Sequence, residues 1–276
     1  MATRGSSTRL VIPEGSDRAI LRRLNARATT QLGALAAAEH REIERNANLQ
    51  QKGLVPLLNA MDIDRPAVEK AAATVRAANR RRFSAERPGR FEPLKGPNPT
   101  RYAPFDFTWS WISGGGLNIT RQYGPNARTG ETGYSIGIFN GGSLSTQSAV
   151  GFWYYATANG TLRVVANATV WGRAYIFSGL FGYASAYAGL RVWVQPYSPF
   201  QTYRATTPIY DNSGVLEFDI RYFDYVNRTV SISVPARRNT WYAIWGGAVQ
   251  SAGAGGVADA VSNFQMHVGP IHYWVD

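Results

Sequence analysis

Val150-Gly151-Phe152-Trp153-Tyr154-Tyr155-Ala156-Thr157-Ala158-Asn159-Gly160-Thr161-Leu162-Arg163-Val164-Val165 decides the fold class. Two runs rich in aromatic and β-branched residues flank Asn159-Gly160. That dipeptide tolerates the positive φ of a tight turn, so the stretch predicts two strands joined as a hairpin. The same texture extends in both directions. Strand-like runs fall at 105–112, 134–139, 150–157, 161–171, 173–178, 188–195, 215–223, 228–234, 240–246 and 264–275. Gly, Asn, Asp, Ser and Pro separate them, and Asn140-Gly141 is a further turn signal. Two of the runs alternate cleanly. Leu190, Val192 and Val194 oppose Arg191 and Trp193; Leu216, Phe218, Ile220 and Tyr222 oppose Val215, Glu217, Asp219 and Arg221. Many short alternating strands with frequent turns predict a mainly β protein, an antiparallel β-sandwich of jelly-roll type. Two stretches, 177–187 and the glycine-rich 253–258, read as loops.

The front of the chain is a different material. Residues 1–16 read as a flexible basic arm, and 17–85 as an α-helical segment rich in Arg and Ala. Within it, Asp17–Gln51 predicts a helix with Ile20, Leu24, Leu32 and Leu35 near one face, ended by Gly53. A second helix is expected from Asp64, with Pro66 in its first turn. Pro88, Pro93, Pro97, Pro99 and Pro104 make 86–104 a linker, leaving 105–276 as the sandwich domain.

Composition narrows the chemistry. Hydrophobic residues are 45% and charged residues 17%, which argues against wholesale disorder. The absence of cysteine excludes disulfides, thiolate metal sites and thiol nucleophiles. The net charge of +11 is uneven: residues 1–100 hold 18 Lys and Arg against 10 Asp and Glu, and the rest hold 11 against 8. Arg80, Arg81 and Arg82 are the densest cluster and the candidate contact for an anionic partner. Acids are interspersed, and no helix-turn-helix or RNA-recognition motif accompanies the charge, which argues against nucleic acid. The polar start lacks the features of a secretory signal, and no apolar run reaches the ~18 residues of a membrane span. The expectation is a cytoplasmic protein, or one exported without a cleaved signal.

Glu217-Phe218-Asp219-Ile220 places two carboxylates on one strand face and resembles the first half of the Glu-x-Asp-x-x-Glu motif of laminarinase-type glycosidases. The third carboxylate of that motif would fall at Tyr222, so the general acid is missing. Among the histidines, His267 and His272 straddle Gly269-Pro270, and His40 lies in a charged helical stretch; none has metal-ligand spacing. No catalytic residue, metal or cofactor is assigned, and the protein is read as a non-enzyme.

The aromatics carry the functional reading. Trp153 and Tyr155 oppose Phe152 and Tyr154, while Trp241 and Trp245 oppose Tyr242, so aromatics stand on both faces of these strands. One face of a sheet commonly meets water. The sequence therefore predicts a recognition module that binds a glycan or a protein surface, with Trp153, Trp193, Trp241 and Trp245 as the stacking residues. The competing expectation is a structural, self-assembling protein such as a shell, coat or injection-machine component. It would form a homo-oligomer through its N-terminal helices. Contact with a membrane ranks below both.

Overall fold

The computed structural model describes residues 18–60, 100–179, 182–214, 217–256 and 258–276. The expected arm at 1–16, the helix from Asp64, the triplet Arg80–Arg82 and residues 86–99 of the Pro-rich linker lie outside these residues. Helix α1 spans Arg18–Ala60. It runs through Gly53, where an end was expected, and on past Pro56 to Ala60. Among the described residues nine strands follow: β1 (Thr100–Arg101), β2 (Phe107–Gln122), β3 (Glu131–Ala156), β4 (Gly160–Ser178), β5 (Tyr183–Pro196), β6 (Tyr203–Gly214), β7 (Phe218–Ala236), β8 (Thr240–Gly255) and β9 (Ala258–Val275).

All pairings are antiparallel, and they form two sheets that share one bent hairpin. Residues 142–156 of β3 pair with β8, and 131–139 pair with β9. β2 follows β3 along both halves. One sheet therefore runs β6-β5-β8-β3-β2 and the other β7-β4-β9-β3-β2. They stack face to face, β8 over β9, β5 over β4 and β6 over β7, which is the predicted antiparallel sandwich. We call them the first and second sheet. β3 crosses between them at Gly141 and Gly142, whose φ of 122° and 116° are open to glycine and strained for other residues. Asn140-Gly141 thus bends a continuous strand instead of ending one.

The core between the sheets takes one side of each strand. Val150 and Phe152 of β3, Val164 and Val170 of β4, Leu190, Val192 and Val194 of β5, and Ile244 of β8 are buried there. The alternation read in 188–195 holds. That in 215–223, of which 217–223 are described, holds there as a period but meets a different surface. A bulge opposite Val170 and Gly172, with Tyr225 at φ 48°, shifts the register of β7. Its second half buries Val230 and Val234, whereas in its first half Phe218 and Tyr222 face outward, 61% and 55% exposed. A one-residue slip in a strand exchanges its faces.

Three further expectations change. Asn159-Gly160 is a turn, but the strands on either side do not pair: Ala156 ends opposite Thr240 and Gly160 opposite Ala236. The turn carries the chain from one sheet to the other. Tyr183–Tyr187, expected in a loop, belongs to β5 and pairs with both β6 and β8. The glycine-rich 253–255 completes β8, where small residues let β5 and β3 approach.

Candidate functional site

Helix α1 lies across the outer surface of the first sheet. Leu24, Ala28, Leu32 and Ala36 recur every fourth residue and are buried against it. That spacing gives a helix one apolar stripe, and its two alanines let the backbone approach closely. Under the stripe stand Phe107, Trp109, Trp153, Trp193, Trp245 and Val249. Their rings interlock: Phe107 to Trp245 at 4.2 Å, Phe107 to Trp153 at 5.1 Å and Trp109 to Trp193 at 6.1 Å between centroids. The indole Nε1–H of Trp245 donates to Gln195 Oε1 at 3.0 Å, and Gln195 Nε2 donates in turn to the Ala28 carbonyl of α1 at 3.3 Å.

Beyond Ala36 the contact turns polar. The Glu39 carboxylate accepts hydrogen bonds from Arg191 Nη1 (2.9 and 3.0 Å), from Gln147 Nε2 (2.9 Å) and from Arg204. His40 Nδ1 meets Ser145 Oγ at 2.9 Å, and Ser143 Oγ donates to Glu44 at 3.0 Å. Burial pushes the His40 pKa below its ordinary 6.5, with Glu44 pulling partly back. A histidine whose pKa is depressed on docking contributes its full share above 6.5 and loses it as the pH falls below. Docking of α1 should therefore weaken on acidification through that range. The imidazole lies 6.3 Å from the Trp111 ring, so tryptophan fluorescence followed from pH 8 to 5 reads it. A His40→Gln variant should flatten that acid response; an unchanged response in His40→Gln would refute the assignment.

The helix divides the four tryptophans singled out above. Trp153, Trp193 and Trp245 are buried beneath it, and Trp241 is half-buried beside it. Trp241 stands opposite Tyr155 in the β3–β8 ladder, with centroids 5.1 Å apart and rings tilted by 53°. The Tyr197 N–H donates to the Trp241 carbonyl at 2.9 Å, which extends the β5–β8 ladder one step and sets Tyr197 on the other side of Trp241. Tyr155 and Trp241 thus form a ring pair on neighbouring strands, and Tyr197 follows β5 beside Trp241; the two tyrosines are 40% and 45% exposed. Tyr155 Oη donates to Asn239 Oδ1 at 3.2 Å, and exposed Arg237 and Arg238 border the row. Alternation marked Tyr155 and Trp241 as sharing the face of Trp153 and Trp245. Tyr197, in a Pro-Tyr-Ser-Pro turn, carried no such signal.

At the opposite end of this surface, a cleft of about 400 Å³ opens between α1 and the ends of β5 and β6. Arg191, Glu39, Tyr187 and Asp211 line it. Burial, aided by Asp211 and Glu39, raises the Tyr187 pKa against the pull of Arg191. The carboxylates Glu217 and Asp219 do not act together: Asp219 accepts from Tyr210 Oη (3.1 Å), Asn212 Nδ2 (3.2 Å) and Arg221 Nε (3.2 Å), whereas the Glu217 backbone bonds Ser178. His272 Nδ1 meets Thr100 Oγ1 at 2.8 Å, and His267 is buried with a pKa lowered by that burial. Among the described residues no three His, Asp or Glu side chains gather as a metal-holding group, and no helix is long and apolar enough to cross a membrane.

No family model matches the chain, and no curated protein matches it. Solved structures that align with part of it include three carbohydrate-binding modules. One is TmCBM61 in complex with β-1,4-galactotriose, at 11% identity over 61% of this chain and 88% of that one, with a TM-score of 0.20. A family 35 module from Clostridium thermocellum aligns at 12% identity over 57% and 90%, with a TM-score of 0.20. CsCBM6-3 from Clostridium stercorarium in complex with cellobiose aligns at 16% identity over 58% and 95%, with a TM-score of 0.19. The likeness is too slight to transfer fold or ligand; the sandwich rests on its own strand pairing.

Proposed function

We propose that the protein is a non-enzymatic recognition module that binds a glycan on the row Tyr155–Trp241–Tyr197. The observation that carries this reading is the Tyr155–Trp241 ring pair on adjacent strands, with the exposed Tyr197 bonded through its backbone to Trp241, beside a helix that buries the other tryptophans of that face. Stacking removes apolar ring surface from water on both partners, and ring hydroxyls remain free to bond Asn239 and the two arginines beside it. The 53° tilt makes a trough, which suits a twisted soluble chain better than a flat polymer surface. Of the four tryptophans proposed from the sequence, Trp241 touches the ligand in this reading. Trp153, Trp193 and Trp245 form the packed layer that fixes its position.

A glycan array on the full-length protein should identify ligands, and Trp241→Ala should weaken them by about tenfold or more, with thermal unfolding little changed. An unchanged affinity in Trp241→Ala would overturn the reading. A second reading, self-assembly, draws on α1: its packed stripe ends near Glu44, while the helix continues to Ala60 and Leu49 is exposed. In that reading the distal turns dock on another copy. Light scattering at low and high salt separates the two, because a recognition module stays at 30.3 kDa.

A further inference from the structure

We propose that the glycan held at the Tyr155–Trp241 ring pair is acidic, a polysaccharide segment that carries carboxylate or sulfate groups. This rests on the recognition reading above and adds the charge of the ligand to it. Ring stacking alone is indifferent to that charge, but the groups around the rings are not.

Two arginines stand on one side. The turn between β7 and β8 holds Arg237, Arg238 and Asn239, all exposed. Its backbone is fastened at each step. The Arg237 N–H donates to Tyr242 Oη at 2.8 Å, and that hydroxyl donates to the Pro235 carbonyl at 3.0 Å. The Arg238 N–H donates to Asn159 Oδ1 at 2.8 Å, and the Asn239 N–H to the Ala156 carbonyl at 2.8 Å. Asn239 takes a φ of 61°, a left-handed conformation that asparagine tolerates. Its Oδ1 accepts the Tyr155 Oη hydrogen bond, which ties the turn to the ring pair. Both arginines thus spring from a fixed backbone next to the rings. On the other side, the turn that starts at Tyr197 ends at Phe200. Arg27 of α1 lies over the Phe200 ring, with Cζ 4.6 Å from the centroid. Arg23, one helical turn earlier, is exposed as well.

Among the described residues, none of these arginines makes an ion pair. The carboxylates nearest the ring pair are already taken. Asp106 accepts from Arg101 Nη2 at 2.6 Å and from the Trp153 N–H at 3.0 Å, and Asp276 accepts from Arg163 Nε at 2.5 Å. Positive charge without a countercharge therefore flanks apolar ring surface on both sides. A free guanidinium offers charge-assisted hydrogen bonds, and its planar fork matches a carboxylate or a sulfate. A neutral glycan would leave that charge unused. Single-stranded nucleic acid also combines rings with anions. Successive bases stack parallel, however, and the 53° between the two ring planes does not admit two parallel bases. The sugar rings of a twisted chain turn from one residue to the next and meet both planes.

The test is calorimetric titration of the full-length protein with acidic chains and the same chains without their charge. The pairs are galacturonate and glucuronate hexamers against their methyl esters, and sulfated against desulfated galactan hexamers. At low salt the acidic member of at least one pair should bind about tenfold or more tightly than its neutral partner, and that pair tells carboxylate from sulfate. The lead should shrink as the salt approaches about 1 M, where screening acts over about 3 Å. Arg237→Gln combined with Arg238→Gln should remove most of the lead, with unfolding unmoved because the backbone donors remain. Arg27→Gln should remove a smaller part. Trp241→Ala should weaken acidic and neutral members alike. Neutral members that bind as well in every pair, a lead that survives the double arginine variant, or failure of every acidic hexamer to bind would each overturn the acidic ligand. Where Trp241→Ala still weakens a neutral glycan, the recognition reading stands without it; where Trp241→Ala changes no binding, both fall. Tighter binding of a thymidine oligonucleotide than of any acidic hexamer would overturn it in favour of nucleic acid.

Discussion

A chain that begins at residue 100, without α1, should self-associate more strongly than the full-length protein, and should bind a hydrophobic dye strongly. The reason is what the helix covers. Trp109, Trp153, Trp193, Trp245 and Val249 share one face of the first sheet and are buried beneath Leu24, Ala28, Leu32 and Ala36. Each tryptophan buries on the order of 150–250 Å². Uncovering even half of that from four rings exposes roughly 400 Å², at the upper end of what a monomer shows to water. At ~25 cal/mol per Å² the uncovered patch is worth about 10 kcal/mol as an upper bound, which is ample to drive association. Light scattering and dye fluorescence at matched concentrations give the answer. A monodisperse, dye-silent product would mean that the sheet does not need its cover. Adding a peptide of residues 18–60 should restore the monomer, because the polar contacts of Glu39 and His40 fix its register on the sheet.

Trp245→Ala should destabilise the protein by about 3–5 kcal/mol, the range for removing a large buried aromatic side chain. The indole is fully buried, at 0% exposure, and packs 4.2 Å from Phe107. Its loss also strands the Gln195 carbonyl that accepts its Nε1–H, and Gln195 is the link to the helix backbone at Ala28. The cost is therefore shared between the sheet and the docking of α1. Trp241, four residues earlier on the same strand and face, offers the internal control: it is half-buried, and its truncation should cost far less stability. Urea unfolding of the two variants side by side checks the difference. Equal stabilities, or a Trp245 variant that loses ligand binding without losing stability, would mean that the face is open and the indole is a ligand contact.

The contrast between these two tryptophans shows where sequence reading stops. Alternation along 240–246 says that Trp241 and Trp245 point the same way, and both were equally good candidates for stacking. The sequence also marked an apolar helix face, read as Ile20, Leu24, Leu32 and Leu35, of which Leu24 and Leu32 belong to the buried stripe that Ala28 and Ala36 complete. Nothing local joins the two. The contacts that set the register of the helix, such as Arg191 with Glu39, span 152 residues of sequence. The outward turn of Phe218 and Tyr222 was hidden for a related reason: the bulge that exchanges the faces of β7 depends on its pairing with β4, some fifty residues away.

What the sequence determined by itself was the class and periodicity of each segment. The β-branched and aromatic alternation required strands, the glycine and asparagine dipeptides required turns or bends, and the four-residue apolar spacing required a helix with one buried side. These follow from backbone sterics and from the need to hide apolar surface, which act within a few residues. Only the tertiary structure decided which apolar faces meet each other, and so which aromatics remain in reach of a ligand. Burial depends on the partner surface as much as on the residue, and the partners here are assembled from distant parts of the chain.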